Sequence, residues 1–405
     1  MSTLAGARAT GTTSRQFDFP ALARVWYGRG SLEHLAEETE RLGRRRVLLV
    51  STPSTDAAVV ARVRDLLGDR LAAEFADARA HVPLATVVSG TAVAREAGAD
   101  LVVSVGGGSA VDCGKAVALT APSDLDAAAL LGAASIHGDA TSGFSLPEQA
   151  SAALPHLTVS TTLSAAEFTS TFTVTDEETR AKRMVHGREL TPTTAFLDAD
   201  MTAATPSWLW ASSGIRAVDH CVEWYLSRAA TPFTDALVVR ALRTLFAALR
   251  PSSAEPADLD ARQECQVAAW MSVYGSANVL GGLSHAIGHQ LGSRTAIPHG
   301  YTSCLVLPHV LRFNAGAATE RLAELAAVVG AATSERPAVA AEEFVTALET
   351  LIDDLGLPRR LAAVNVTDPA DLDAIARATL GEVAIVNNPR TVTEHDVREI
   401  LERAR

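Results

Sequence analysis

Over the first two hundred residues, short runs rich in valine and leucine alternate with longer stretches of helical period. "RRRVLLVST" precedes "TDAAVVARVRDLLG", and "ADLVVSVGGGS" precedes "AVDCGKAVAL"; short strands feeding helices in this order predict a parallel α/β sheet. "LPHLTVSTTLSAAEFT" and "TTAFLDADM" add strand-like runs that end in polar residues, as expected where open α/β sheets collect ligands at strand carboxyl ends. Residues 121–155 read as a loop covering part of the cleft. After residue 205 nothing alternates as a strand, and helical periodicity continues to the end. The pattern divides the chain into a disordered leader over residues 1–15, an α/β unit over 16–200 and an all-helical unit over 201–405. Thr205 before Pro206 and Thr231 before Pro232 read as helix caps with proline in the first turn, and Thr393 with Asp396 predicts a capping box.

Composition narrows the function. The chain has 405 residues, 48% of them hydrophobic, enough for two large cores. A net charge of -12 gives no overall attraction to nucleic acid or to an anionic membrane. No run of about 18 apolar residues predicts a membrane-spanning helix, and the first fifteen residues hold no apolar stretch of secretory type. Cys113, Cys221, Cys265 and Cys304 form no CxxC pair, so isolated buried thiols and a reducing, cytoplasmic setting are expected.

Two groups of residues carry candidate chemistry. Gly106, Gly107 and Gly108, followed by Ser109, lie at a strand-to-helix turn, where the lack of Cβ lets main-chain N–H groups approach a phosphate at a helix N-terminus. The spacing is not GxGxxG, and a tight turn with a Ser109–Asp112 capping box is the plainer alternative. Ser160, Thr161 and Thr162 offer hydroxyls at another strand end. Thr52 stands near the position where dinucleotide enzymes carry a ribose-binding acid, so NADPH is expected to be accepted beside NADH.

The second group is histidine-rich. Arg216 and His220 are four residues apart, as are His285 and His289, so each pair shares a helix face, and His299 follows a loop later. Such convergence points to a metal or a proton relay. Asp219 and Cys221 flank His220 but turn about 100° per residue away from its face. Glu223, one turn on, is a candidate to orient His220 or to pair with a surface cation. Arg216 cannot ligate a cation; it either binds an anion bidentately or turns aside to Asp219 or Glu223.

Together "GGGSAVDCGKAVAL", "STTLSAAEFT", "GIRAVDHCVE", "HAIGHQLGSRTAIPHG" and "LPHVLRFN", in this order, resemble the iron-containing (group III) alcohol dehydrogenase family, over more than nine-tenths of the chain and with most likeness to maleylacetate reductases. The resemblance implies a Rossmann-like α/β N-terminal domain, an all-α C-terminal domain, hydride transfer with NADH or NADPH in the cleft between them, and a homodimer. It implies a pyrophosphate loop at Gly106, Gly107, Gly108 and Ser109, nicotinamide-side Thr161 and Thr162, and cofactor-side Thr52 and Lys182. Metal-dependent members hold iron or zinc with one aspartate and three histidines. His220, His285 and His299 match those histidines, His289 matches the histidine beside the nicotinamide, and Arg216 stands where the aspartate belongs. Maleylacetate reductases also replace that aspartate, with a neutral residue, and work without metal. The sequence departs from them in its arginine, in "STTLSAAEFT" and in the long 121–155 segment. Three functions follow: a metal-independent reductase of a carboxylate-bearing oxo compound, with Arg216 in the metal's electrostatic role and His289 or His285 supplying the proton; a metal-dependent alcohol dehydrogenase; and a lyase, cyclase or silent nucleotide-binding relative.

Overall fold

The computed structural model describes residues 16–139, 143–145, 153–178, 182–295 and 297–405; the expected leader lies outside them. The N-terminal part runs β1 (Arg24–Tyr27), α1 (Leu35–Arg41), β2 (Val47–Ser51), α2 (Ala57–Leu67), β3 (Leu71–Phe75), α3 (Leu84–Glu96), β4 (Leu101–Gly106) and α4 (Gly108–Thr120). It continues with α5 (Ala127–Ala134), β5 (His137–Asp139), β6 (Gly143–Ser145), β7 (His156–Ser160), β8 (Thr171–Thr175), β9 (Lys182–His186) and β10 (Thr194–Leu197). Six strands form a wholly parallel sheet in the order β1-β10-β7-β4-β2-β3. Strand alternation puts Leu48 and Val50 on the face covered by α3 and α4, and Val47 and Leu49 on the face covered by α1 and α2. With both faces covered, the central β2 and β4 are near-continuous apolar runs, buried at every residue. The chain leaves β2 for β3 on one side and returns to β4 on the other. The sheet's switch point, where such folds open a crevice, therefore lies between the ends of β2 and β4.

Among the described residues, only helices follow: α6 (Ser207–Leu226), α7 (Pro232–Ala254), α8 (Leu259–Val273), α9 (Ser276–Val279), α10 (Leu283–Thr295), α11 (His299–Val328), α12 (Pro337–Asp354), α13 (Pro369–Thr379) and α14 (Glu394–Ala404). Helix α6 is buried almost throughout and packs against α7, α8 and α11. Gly214 permits this: a Cβ there would stand 2.2 Å from Leu249 Cδ2 of α7. None of these helices is long and apolar enough to cross a membrane.

Several expectations need correction. Thr205 does not cap α6; its hydroxyl donates to the Thr161 carbonyl, and Pro206 itself precedes the first helical residue. Thr231 and Thr393 do cap α7 and α14, each in a capping box. The 121–155 segment is more than a loop: Asp126 caps α5, and β5 pairs with β6. The antiparallel β8–β9 hairpin adds to the expected elements: β8 alternates, with Phe172 and Val174 buried between threonines, but its partner β9 does not alternate.

Candidate active site

A cavity of about 820 Å³ opens between the sheet's switch point and the helical half. Its sheet side is lined by Thr52, Gly107, Gly108, Ser109, Thr161 and Thr162, as the sequence predicts. Gly106 has φ +142, which disfavours any side chain, and a Cβ on Gly107 would come within 2.9 Å of Thr162 Cγ2. No side chain caps α4, whose N-cap is Gly107; Ser109 makes no capping box, because Asp112 turns instead toward the Thr173 N–H, 3.5 Å away. The helix N-terminus is thus open to an anion at a cradle without side chains, which fits a dinucleotide pyrophosphate. Thr52 sits in a hydroxyl cluster with Ser54 and Thr55.

The opposite wall is built by α6, α10 and the start of α11. Arg216, His220, His285, His289 and His299 all line the cavity. Arg216 Nη1 donates to Ser303 Oγ at 3.2 Å and lies 3.5 Å from Asp219 Oδ2, so the guanidinium is ion-paired while still facing the cavity. Asp219 is fully buried and also accepts from Ser284 Oγ and Ser303 Oγ. Glu223 neither orients His220 nor meets a surface cation. Its two oxygens accept the main-chain N–H groups of Ser284 and His285, 2.7 and 3.0 Å away, and His285 Nδ1 lies at 2.6 Å. Burial pushes the Glu223 carboxyl up to about 7 and the His285 imidazole well below its usual range, so a neutral His285 donates Nδ1–H and keeps a bare Nε2. His220 stacks on Trp224, one turn along α6, with centroids 5.6 Å apart.

His289 Nδ1 lies 3.1 Å from Glu382, which also accepts from Gln290. Burial lowers the His289 pKa, and the nearby carboxylate of Glu382 opposes that shift. Lys182, expected at the cofactor, places its ammonium 2.6 Å from His299 Nε2 instead. Burial lowers this lysine to about 8. Glu382, Ser284, Ser303 and Trp224 were not anticipated. Trp224 and Ser303 had a local signal, each four residues from a predicted histidine, His220 and His299, and Ser284 adjoins His285; Glu382 comes from a distant segment.

The residues present do not fit the family's metal site. Among the described residues, the one group of ligand atoms that converges is Asp219, Glu223 and His285, not the three histidines. Glu223 is committed to the start of α10, and His299 Nε2 to Lys182. At about 4 Å, a divalent ion beside the Arg216 guanidinium would meet roughly 8 kcal/mol of repulsion at an effective dielectric of 20. The positive charge required by Asp219 is already supplied by Arg216.

The chain belongs to the iron-containing alcohol dehydrogenase family. Residues 23–199 match its iron-containing alcohol dehydrogenase portion, and residues 210–405 match the Fe-containing alcohol dehydrogenase family C-terminal portion. Over 390 residues it is 34% identical to the lactaldehyde reductase of Escherichia coli (strain K12), covering 94% of this chain and 97% of that one. Over 392 residues it is 32% identical to the maleylacetate reductase of Rhizobium sp. (strain MTP-10005), covering 95% and 96%. The crystal structure of a 1,3-propanediol oxidoreductase superposes with a TM-score of 0.87 over 96% of this chain and all of that one, at 28% identity. Membership makes this chain an NAD-dependent oxidoreductase of alcohols and carbonyl compounds. Overall identity hardly separates lactaldehyde from maleylacetate reductases, so substrate choice falls on the site's own residues.

Two outcomes follow from this geometry. Gly107→Ala drives a methyl against Thr162 and is expected to weaken NADH and NADPH binding at least ~10-fold, about 1.4 kcal/mol, in a nicotinamide-fluorescence titration. Arg216→Asp leaves Asp219 without its cation, a loss of about 3–5 kcal/mol for a broken buried pair. The variant should melt well below the wild type and recover when zinc is added, whereas the wild-type melting point should ignore zinc.

Proposed function

We propose that this chain is a metal-independent NAD(P)H-dependent reductase of a carboxylate-bearing oxo compound, with maleylacetate as the first candidate. The observation that carries the reading is Arg216, a paired guanidinium facing the cavity where the family resemblance puts a metal-binding aspartate. A guanidinium presents several donors in one plane, and among the described residues Nη1 is the nitrogen engaged, with Ser303 and Asp219, so further donors remain for a substrate carboxylate. Maleylacetate reductases at 32% and 29% identity support the same substrate class.

The bound dihydronicotinamide supplies a hydride to the substrate's carbonyl or conjugated alkene carbon. The chain's own groups then manage charge and protons. Arg216 holds the carboxylate and offsets negative charge developing beside it. His289, steadied through Nδ1 by Glu382, donates a proton to the reduced substrate. The cradle at Gly106 to Ser109 holds the cofactor's phosphates. In this reading a homodimer in the cytoplasm is the working form.

NADH and NADPH oxidation should be measured with maleylacetate and with lactaldehyde, before and after chelator treatment. Activity on maleylacetate that survives chelation is expected. Activity on lactaldehyde alone, lost with stoichiometric iron or zinc, would transfer the chain to the metal-dependent dehydrogenases.

The proton donor gives a second outcome. His289 faces Glu382, Lys182, Arg216 and His299, and its pKa is lowered, so the protonated fraction grows as pH falls below about 6.5. Reduction should therefore quicken toward acid, with its limb below that of a free imidazole. Glu382→Gln removes the one opposing carboxylate and should move that limb further down. An unmoved pH profile would take the role from His289.

A further inference from the structure

His81 lies in the connection from β3 to α3, and its backbone is left-handed at φ +62, followed by Val82 at φ +46. L-residues avoid this region, β-branched ones most strongly, so two in succession persist only where the surroundings over-determine them. Here the clamp is β8. Thr175 Oγ1 donates to the His81 carbonyl at 2.7 Å, and Thr175 N donates to the Val82 carbonyl at 3.0 Å. Thr175 is also the register partner of Lys182 across the hairpin, and Lys182 reaches His299. One hairpin thereby fixes both the strained turn and the ammonium beside the same histidine.

The strained turn brings the His81 ring to 5.2 Å from the His299 ring, at the cavity wall. Room for the two comes from Gly292 on α10, where a Cβ would stand 3.2 Å from His81 and 3.4 Å from His299. Each ring has a buried Nδ1 without a hydrogen-bond partner. Because His299 Nε2 accepts from Lys182, its Nδ1 carries the hydrogen, and an unmet buried donor is costly until something accepts from it. Both rings line the cavity but their unmet nitrogens are shut off from it, so a ligand oxygen that draws the rings round satisfies both.

We propose that His81 is a further substrate-contacting residue, held in its left-handed turn by the β8–β9 hairpin so that its Nδ1, together with that of His299, hydrogen-bonds an oxygen of the bound oxo substrate. This rests on reading the cavity as the substrate site of a reductase. His81 lies outside the Gly106–Ser109 turn, so its loss is expected to be felt by the substrate more than by the cofactor's phosphates.

His81→Asn tests the assignment, because asparagine tolerates the left-handed region better than histidine but cannot place a ring nitrogen there. The variant is expected to melt at or above the wild-type temperature and to bind NADH with unchanged affinity. Its kcat/KM on maleylacetate should fall at least ~10-fold, the cost of leaving a polar partner unmet. A variant that keeps full kcat/KM overturns the assignment, and so does one that loses activity together with stability or with NADH affinity. Wild-type inactivity on both maleylacetate and lactaldehyde defeats the reading of the site instead. The melting comparison needs no substrate, and in that case a melting temperature below wild type overturns the strained-turn argument by itself.

Discussion

The first N–H groups of α10 are met by a carboxylate from another helix: Glu223 of α6 accepts from Ser284 and His285 and holds the His285 ring as well. Each such hydrogen bond contributes about 0.5–1.5 kcal/mol, rising to about 1.5–3 kcal/mol as Glu223, pushed up to about 7, ionises, whereas an exposed helix pair such as Glu399 with Arg403 is worth about 0.3–0.5 kcal/mol. The join is therefore among the strong polar links between the helices, and the cavity's shape depends on it. His285 and His289 ride on α10, and their rings are aimed by where that helix begins. Even the approach is specified, because a Cβ on Gly282 would lie 2.4 Å from Glu223 Oε1. A side chain there would displace the Glu223 carboxylate and loosen its hold on the start of α10.

Charge within the site is layered. Arg216 faces the cavity and Lys182 lies against His299, while Asp219 lies fully buried behind and Glu382 backs His289. Burial holds His220, His285 and His299 well below the ordinary imidazole range, so the histidines enter as neutral donors and acceptors and the two basic side chains carry the positive charge. A chain with net charge -12 thus sets two cations against the buried carboxylates Asp219 and Glu382 in its interior. Total charge decides which large polyanions are attracted; a few desolvated groups decide which small anion is held.

The sheet and the cofactor turn were legible because local sequence determines them. "VVSVGGG" must be an apolar strand ending where side chains are excluded, and Gly106 and Gly107 are found in that position. Thr231 and Thr393 were likewise readable as caps, since their partners lie within one turn. Ser109 and Thr205 carried the same local signal and were overridden by tertiary partners: α4 starts one residue earlier, and Thr205 is taken by the strand end at Thr161. Of the five cavity residues, Arg216, His220, His285 and His289 were found through helical spacing, and His299 through its nearness in sequence and the family resemblance. The groups that orient them were not, because Glu382 is 93 residues from His289 and Ser303 is 87 from Arg216. His81 and Lys182 belong to segments whose meeting depends on a hairpin that only half-alternates. Spacing reveals which side chains share a face, but not which distant strand or loop arrives opposite.

The pairing of β1 with β10 also bears on the order in which the molecule is made. Arg24 sits beside Thr194 and Tyr27 beside Leu197, so an outer strand of the sheet waits, during synthesis, for the strand that completes its neighbour nearly two hundred residues later. Until then β1 has no partner in this sheet, and a growing chain emits about 5–20 residues each second. The interval is of the order of ten seconds at the faster pace and about half a minute at the slower, long enough for early helices and the β2–β3–β4 core to form and for an unpaired strand to meet wrong partners. Nascent chains stalled before residue 194 should therefore engage chaperones more heavily than chains stalled after residue 205, although the stretch between the two points adds only one short strand and a turn.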